Sequence, residues 1–161
     1  MTTTRIQDVH AAATAAVGTS TRTQIGPITA RELGRFDVAV TGSMLGRDGD
    51  LARPLYLTSV LAWGEGPPEP DLLPDGNAAD PFAGFDVAGL RLMGGGQELK
   101  FHRDIEPDMT VTVEVTLASA DLKETASGHL LILVVERLYS DEDGLLVECR
   151  ETFLGREALA S

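Results

Sequence analysis

The second half of the chain is written in a two-residue period. Met109, Val111, Val113, Val115 and Leu117 are apolar, and Thr110, Thr112, Glu114 and Thr116 between them are polar or charged. Side chains on a strand alternate between its faces, so this order predicts a long strand with one buried and one solvated side. Leu99 and Phe101 alternate with Glu98, Lys100 and His102 in the same way, behind an apolar start at Leu90 to Met93. Leu145, Val147, Cys149, Glu151 and Phe153 form a further alternating run, and Leu130 to Val135 is apolar throughout, which suits a central strand. Pro107-Asp108, Ser127-Gly128 and Asp141-Glu142-Asp143-Gly144 punctuate these segments as turns. Strands joined by such short turns pair antiparallel, because each turn reverses the chain.

The first half reads differently. Residues 1–20 are rich in Ala and Thr and form a frayed tail or a short helix; Arg22 to Ile25 is a short strand. Thr29-Ala30-Arg31-Glu32 is a T-x-x-E capping box, in which each end satisfies a free amide of the other. Ile28 precedes it as a staple residue, Leu33, Phe36 and Val40 follow as an apolar stripe, and Thr41-Gly42 closes the helix. Residues 42–53 are a loop. Pro54 then opens the charge-free segment Leu55 to Trp63, read as a helix buried all round. Residues 64–86 carry Pro67, Pro68, Pro70, Pro74 and Pro81 and are a long loop. Helices followed by grouped strands argue for an α+β class with an antiparallel sheet. A sheet wrapped around one buried helix, the hot-dog fold, accommodates the charge-free segment. The expected layout is a tail at 1–20, one domain at 21–157 and a short tail at 158–161.

At 161 residues the chain is long enough for one domain with a real core. Its net charge of -12 and the lack of a basic run argue against a nucleic-acid partner. No apolar stretch is long enough to span a bilayer, and the start has no signal-peptide order, so no membrane is expected and the cytoplasm is the expected compartment. Cys149 is the only cysteine, so an intrachain disulfide and a cysteine metal site are excluded. A nucleophilic role for Cys149 is open, but its place in an alternating strand favours a buried structural thiol. The acidic turn at 141–144 lacks the ligand spacing of a calcium loop and reads as a solvated turn. Neither a metal nor a cofactor is expected.

Gly94-Gly95-Gly96-Gln97-Glu98-Leu99-Lys100-Phe101-His102-Arg103-Asp104-Ile105-Glu106-Pro107-Asp108 resembles the GGQ-x-φ-x-F-H-R-P-φ-x-x-G-D segment of the MaoC-like N-terminal dehydratase family. Arg53-Pro54-Leu55-Tyr56-Leu57-Thr58 resembles that family's A-P-P-x-F-L-T segment, and Gly26 to Val40 its first strand and helix. Leu130 to Arg137, Asp143 to Leu146 and Glu151 to Leu154 are similar to its last two strands. The series is colinear and covers residues 20–157. Asp104 stands where the family usually has Pro, and Pro107 where it has Gly. The resemblance implies a hot-dog fold and reversible addition of water to a 2-enoyl thioester of coenzyme A or acyl carrier protein. It implies a double hot dog, one half catalytic and one supportive, the latter lining part of the acyl tunnel.

Hydration needs a base and an acid over the double bond, and related catalytic halves supply an Asp and a His from a D-x-N-P-x-H stretch after the first helix. The equivalent stretch here, residues 40–50, has Asp48 and Asp50 but no following His. His102, with Asp104, is the remaining catalytic candidate; its bland reading is an exposed edge position beside Lys100. His10 lies in the tail, and His129 opens a strand. Gly94, Gly95 and Gly96 either let a backbone approach a thioester or mark a bulge, and Gln97 belongs to the same run. They are not a phosphate loop, because no Lys-Ser/Thr follows. Tyr56 and Trp63 either border an acyl tunnel or pack in the core. The expected function is the non-catalytic, tunnel-forming half of an acyl-thioester hydratase or dehydratase, as a homodimer or as a heterodimer with a catalytic subunit. The competing readings are an acyl-binding module, a stand-alone dehydratase using His102, and a thioesterase using Glu65.

Overall fold

The four long strands form as the alternation predicts, and a fifth joins them. In the computed structural model the described residues are 4–42, 52–60, 69–72 and 86–158. They hold helix α1 (Arg5–Ala16), strand β1 (Ser20–Pro27), helix α2 (Ala30–Thr41), the short helix α3 (Tyr56–Val60), a 3-10 turn at Glu69–Asp71, and strands β2 (Leu90–Phe101), β3 (Thr110–Thr125), β4 (Gly128–Asp141) and β5 (Gly144–Glu157). All pairings are antiparallel, in the order β1-β3-β4-β5-β2. Two-residue hairpins join β3 to β4 and β4 to β5. β2 therefore lies at an edge, and its outer side has no strand partner among the described residues.

One face of the sheet is the core. Val111, Val113, Val115 and Leu117 of β3, Leu131, Leu133 and Val135 of β4, and Val147 and Cys149 of β5 are all buried on it. The apolar run in β4 is central, as expected, yet only its odd members are fully covered; Leu130, Ile132 and Val134 are half-buried on the outer face.

The N-terminal segment is a helix and part of the core. α1 packs on β3, β4 and β5 and buries Ile6, Val9 and Ala13. Its start is held by Thr4, whose backbone N–H donates to Gln7 Oε1 at 2.9 Å. β1 begins at Ser20, ahead of the expected Arg22.

The capping box of α2 forms in full: Thr29 N–H donates to Glu32 Oε2 at 2.9 Å, and Glu32 N–H donates to Thr29 Oγ1 at 3.2 Å. Gly42 closes α2 in the left-handed conformation. The apolar stripe needs correction: Leu33 is buried and Phe36 half-buried, but Val40 is exposed, and the buried partner at i+4 from Leu33 is Asp37. Asp37 tolerates burial because Arg53 pairs with it. The segment opened by Pro54 also differs from a helix buried all round. Tyr56 and Leu57 are buried, while Leu55 and Ser59 are exposed. Its first residues form a turn, with Leu55 at φ 73, and the helix starts only at Tyr56.

Pro107 and Asp108, at and beside the second departure from the family pattern, still make a turn. Asp108 takes the left-handed conformation, at φ 69. Asp108 N–H donates to Ile28 O at 2.7 Å and Ile28 N–H to Met109 O at 2.8 Å, tying this turn to the end of β1. An antiparallel five-stranded sheet with helices on one face is the hot-dog fold. Asp48, Asp50, Trp63, Glu65 and most of the 64–86 segment lie outside the described residues.

Candidate functional site

The glycine run forms a bulge within the edge strand. Gly94 pairs with Phe153 and Gly96 with Thr152, so Gly95 is the extra residue. A Cβ on Gly95 would lie 3.1 Å from Thr152 Cγ2 and 3.2 Å from both Leu154 Cγ and Thr152 O, so a side chain here would press on its neighbours. The bulge also shifts the phase of the strand, which puts Gln97 opposite Glu151 on the core-facing side.

Gln97 is the outer end of a polar line that runs into the core. Its Nε2 donates to Glu151 Oε1 at 2.6 Å and approaches Cys149 Sγ at 3.5 Å. Glu151 in turn pairs with Arg137, whose side chain is only 4% exposed. Tyr139, two residues along β4 on the same face, is fully buried, and among the described residues neither its hydroxyl nor Arg137 Nε has a hydrogen-bond partner. Burial lowers the pKa of the Arg137 guanidinium and raises that of the Tyr139 hydroxyl. It also raises the pKa of the Cys149 thiol, against the pull of Arg137 and Gln97. Cys149 is thus held as a neutral buried thiol, without the lowered pKa of a nucleophile.

His102 and Asp104 lie just past the other end of β2. His102 Nε2 is 2.7 Å from Glu148 Oε1, and Lys100 Nζ is 3.5 Å from the same oxygen. Glu148 lies between the buried Val147 and Cys149, so it and the groups bound to it are on the outer face. The hydrogen bond from His102 is the main reason that the Glu148 carboxyl sits below its usual range. Asp104 is exposed, and no hydrogen bond joins it to His102 among the described residues. Both line a cleft of about 270 Å³ with Arg53, Phe101, Arg103 and Ile105. The two arginines there are already engaged, Arg53 by Asp37 and Arg103 by Asp141. Asp141 also accepts from Asp143 N–H at 3.0 Å, so the acidic turn is held by Arg103 and its own backbone. No cluster of metal-ligating side chains occurs among the described residues.

Tyr56 is buried, in an edge-to-face contact with Phe36 at 5.5 Å between centroids, and burial raises the pKa of its hydroxyl. The structure therefore gathers Gly94, Gly95, Gly96 and Gln97 on the β2 edge, sets His102 and Asp104 at the far end, and places Tyr56 against α2. Sequence reading missed Arg137 and Asp37. It noted Glu151 as one of an alternating series and in the family-like stretch Glu151 to Leu154, without a partner. A signal was present: Arg137 is in phase with Val135 and Tyr139, and Glu151 with Cys149, so both charges fall on buried positions of neighbouring strands.

An open-edged five-stranded hot-dog sheet with a glycine bulge defines the class. Residues 15–149 match the model of the FAS1-like, dehydratase domain region family, and the chain belongs to that family. No curated protein matches it. Among solved structures it is similar to the ChsH1-ChsH2 complex from Mycobacterium tuberculosis, at 20% identity and a TM-score of 0.62, covering 97% of this chain and 93% of that one. It is similar to the MaoC-like dehydratase from Rhodospirillum rubrum, at 13% identity and a TM-score of 0.56, covering 90% and 95%. It is also similar to the C-terminally truncated HadBC (3R-hydroxyacyl-ACP dehydratase) complex from Mycobacterium tuberculosis, at 18% identity and a TM-score of 0.57, covering 84% and 96%. At these identities the likeness is one of fold. No described helix is long and apolar enough to cross a membrane.

Proposed function

We propose that this chain is the supportive half of a two-subunit acyl-thioester hydratase or dehydratase of the cytoplasm, pairing with a catalytic hot-dog partner. Family membership supports the reaction class. The observation that carries the supportive role is the position of His102. It is bound to Glu148 on the outer face, and among the described residues no histidine is hydrogen-bonded to a carboxylate on the core-facing side. Water addition needs such a pair beside the acyl chain. The partner would supply it, and this chain would line the tunnel through the bulge Gly94 to Gly96, Gln97 and Tyr56.

The open edge of β2 supports pairing, because an unpaired strand edge is a template for another strand. The similarity to two complexes of hot-dog subunits agrees with it. The test is co-expression with a catalytic MaoC-like hot-dog protein. The expected result is a stable complex that hydrates 2-enoyl-CoA or 2-enoyl-ACP, while this chain alone does not. Turnover by the isolated chain that disappears in His102→Ala would replace this reading with a stand-alone dehydratase. Thioester binding without turnover in any pairing would leave an acyl-binding module.

A further inference from the structure

At the start of β2, far from His102, two arginines face each other across the sheet. Arg91 of β2 is paired in register with Arg156 of β5. Like charges directly opposite on neighbouring strands repel, so such a pair persists at a cost. Neither has an ion pair among the described residues. Most other cations near the sheet are engaged: Arg5 by Asp86, Lys100 by Glu148, Arg103 by Asp141, Arg137 by Glu151 and Arg150 by Glu136. In a chain of net charge -12, two uncompensated guanidinium groups side by side stand out.

They also line a cavity. Arg91, Arg156, His129 and Ser127 border a cleft of about 630 Å³, within the range of small-molecule sites. Arg156 Nη1 donates to Ser127 Oγ at 2.7 Å, which ties this guanidinium to the β3–β4 hairpin. Among the described residues the one carboxylate on the rim is Glu157, which accepts from Ile6 N–H at 3.2 Å and so serves the first turn of α1. That acid is therefore bound to the helix, where the helix dipole favours it.

We propose that the Arg91–Arg156 cleft is a phosphate site. Two adjacent guanidinium groups offer forked donors that match the oxygens of a phosphate ester. On the reading of function given above, on which this assignment of the ligand rests, the phosphate is the one that ends a pantetheine arm. Arg91 and Gln97 are separated along β2 by roughly 17 Å, at about 3.3 Å per residue with one residue taken up by the bulge. Arg91, between the core-packed Leu90 and Leu92, faces outward, while Gln97 faces the core, so a pantetheine arm with its phosphate at the arginines reaches the bulge by crossing the open β2 edge. Coenzyme A and a carrier protein's prosthetic group both carry this phosphate, and the chemistry at the arginines is the same.

The test is calorimetric titration of the full chain with crotonyl-CoA, crotonyl-pantetheine, crotonyl-acyl carrier protein and inorganic pyrophosphate. It is repeated for Arg91→Gln, Arg156→Gln and Arg91→Lys, with Arg22→Gln of the exposed β1 strand as the charge control. The expected result is at least tenfold tighter binding of a phosphate-bearing thioester than of crotonyl-pantetheine. Arg91→Gln and Arg156→Gln should each erase that advantage, Arg91→Lys should keep part of it, and Arg22→Gln should leave it unchanged. Which thioester binds, that of the coenzyme or of the carrier protein, identifies the source. Equal binding with and without phosphate, or phosphate-dependent binding indifferent to both arginines, overturns the site and leaves the thioester reading standing. Arginine-dependent binding of pyrophosphate with no thioester bound supports the site and overturns the thioester reading. Binding of no phosphate compound overturns the site.

Discussion

Arg137 and Glu151 occupy positions where the strand pattern puts apolar side chains. Taking two charges out of water costs several kcal/mol each unless they pair and complete their hydrogen bonds. Here they pair, and Gln97 takes up a further carboxylate oxygen. Removing one partner leaves the other charge buried and alone. Glu151→Leu or Arg137→Leu should therefore destabilise the chain by about 3–5 kcal/mol, while the double replacement Arg137→Met with Glu151→Met should recover most of that loss. Urea denaturation midpoints of the three variants check this. Double-variant stability no better than that of the single variants would mean that the pair contributes through something other than mutual compensation. Gly95 makes a second residue-scale point. With Thr152 and Leu154 atoms closer than ordinary contact distance to any added Cβ, Gly95→Val should cost about 1–3 kcal/mol by overpacking, measured in the same way.

At the scale of the element, the Thr29–Glu32 box shows how a four-residue sequence signal becomes a helix end. The Thr29 hydroxyl and backbone N–H hold the Glu32 carboxyl below its ordinary pKa. A carboxyl whose pKa is depressed by folding contributes stability that is present above its unfolded pKa and lost as pH falls through the folded one. Thr29→Ala should thus cost about 1 kcal/mol at pH 7. The gap to the wild type should narrow as pH falls from about 5 towards 3, as Glu32 protonates in both states. Thermal melts across that range decide it; a pH-independent gap would mean that the hydroxyl acts only on the Glu32 amide. Most elements were legible locally. The β3 alternation, the hairpin turns and this cap all depend on residues within a few positions of one another. α3 was less so: a lack of charge over Leu55 to Trp63 says that a segment avoids water, but not which of its sides does. α1 stayed open between a frayed tail and a short helix, although the T-x-x-Q spacing of Thr4-Arg5-Ile6-Gln7 is a local signal for the helix.

For the whole molecule, α1 decides more than a terminal segment usually does. Ile6 and Val9 are each about 1% exposed and sit on the sheet. Burying such side chains contributes about 1.5–3 kcal/mol each. Domains of this kind are stable by only about 5–15 kcal/mol in all. A chain that begins at Gly18 should therefore lose much of its cooperative unfolding transition, followed by circular dichroism on heating. An unchanged midpoint would show that α1 is dispensable. The other decision at this scale is the sheet order. It leaves β2, with its bulge and Gln97, at an edge where a second subunit can meet it.

Sequence alone determined the strands, their turns, the capped helix and the family, because alternation and capping are written in neighbouring residues. Tertiary structure decided which strand is the edge, that Arg137 meets Glu151 and Gln97, that His102 turns to Glu148, and that Arg91 faces Arg156. Each of these depends on the register between strands distant along the chain. A shift of one residue, such as the bulge at Gly95, moves a side chain to the other face, and no local pattern specifies on which strand its partner stands.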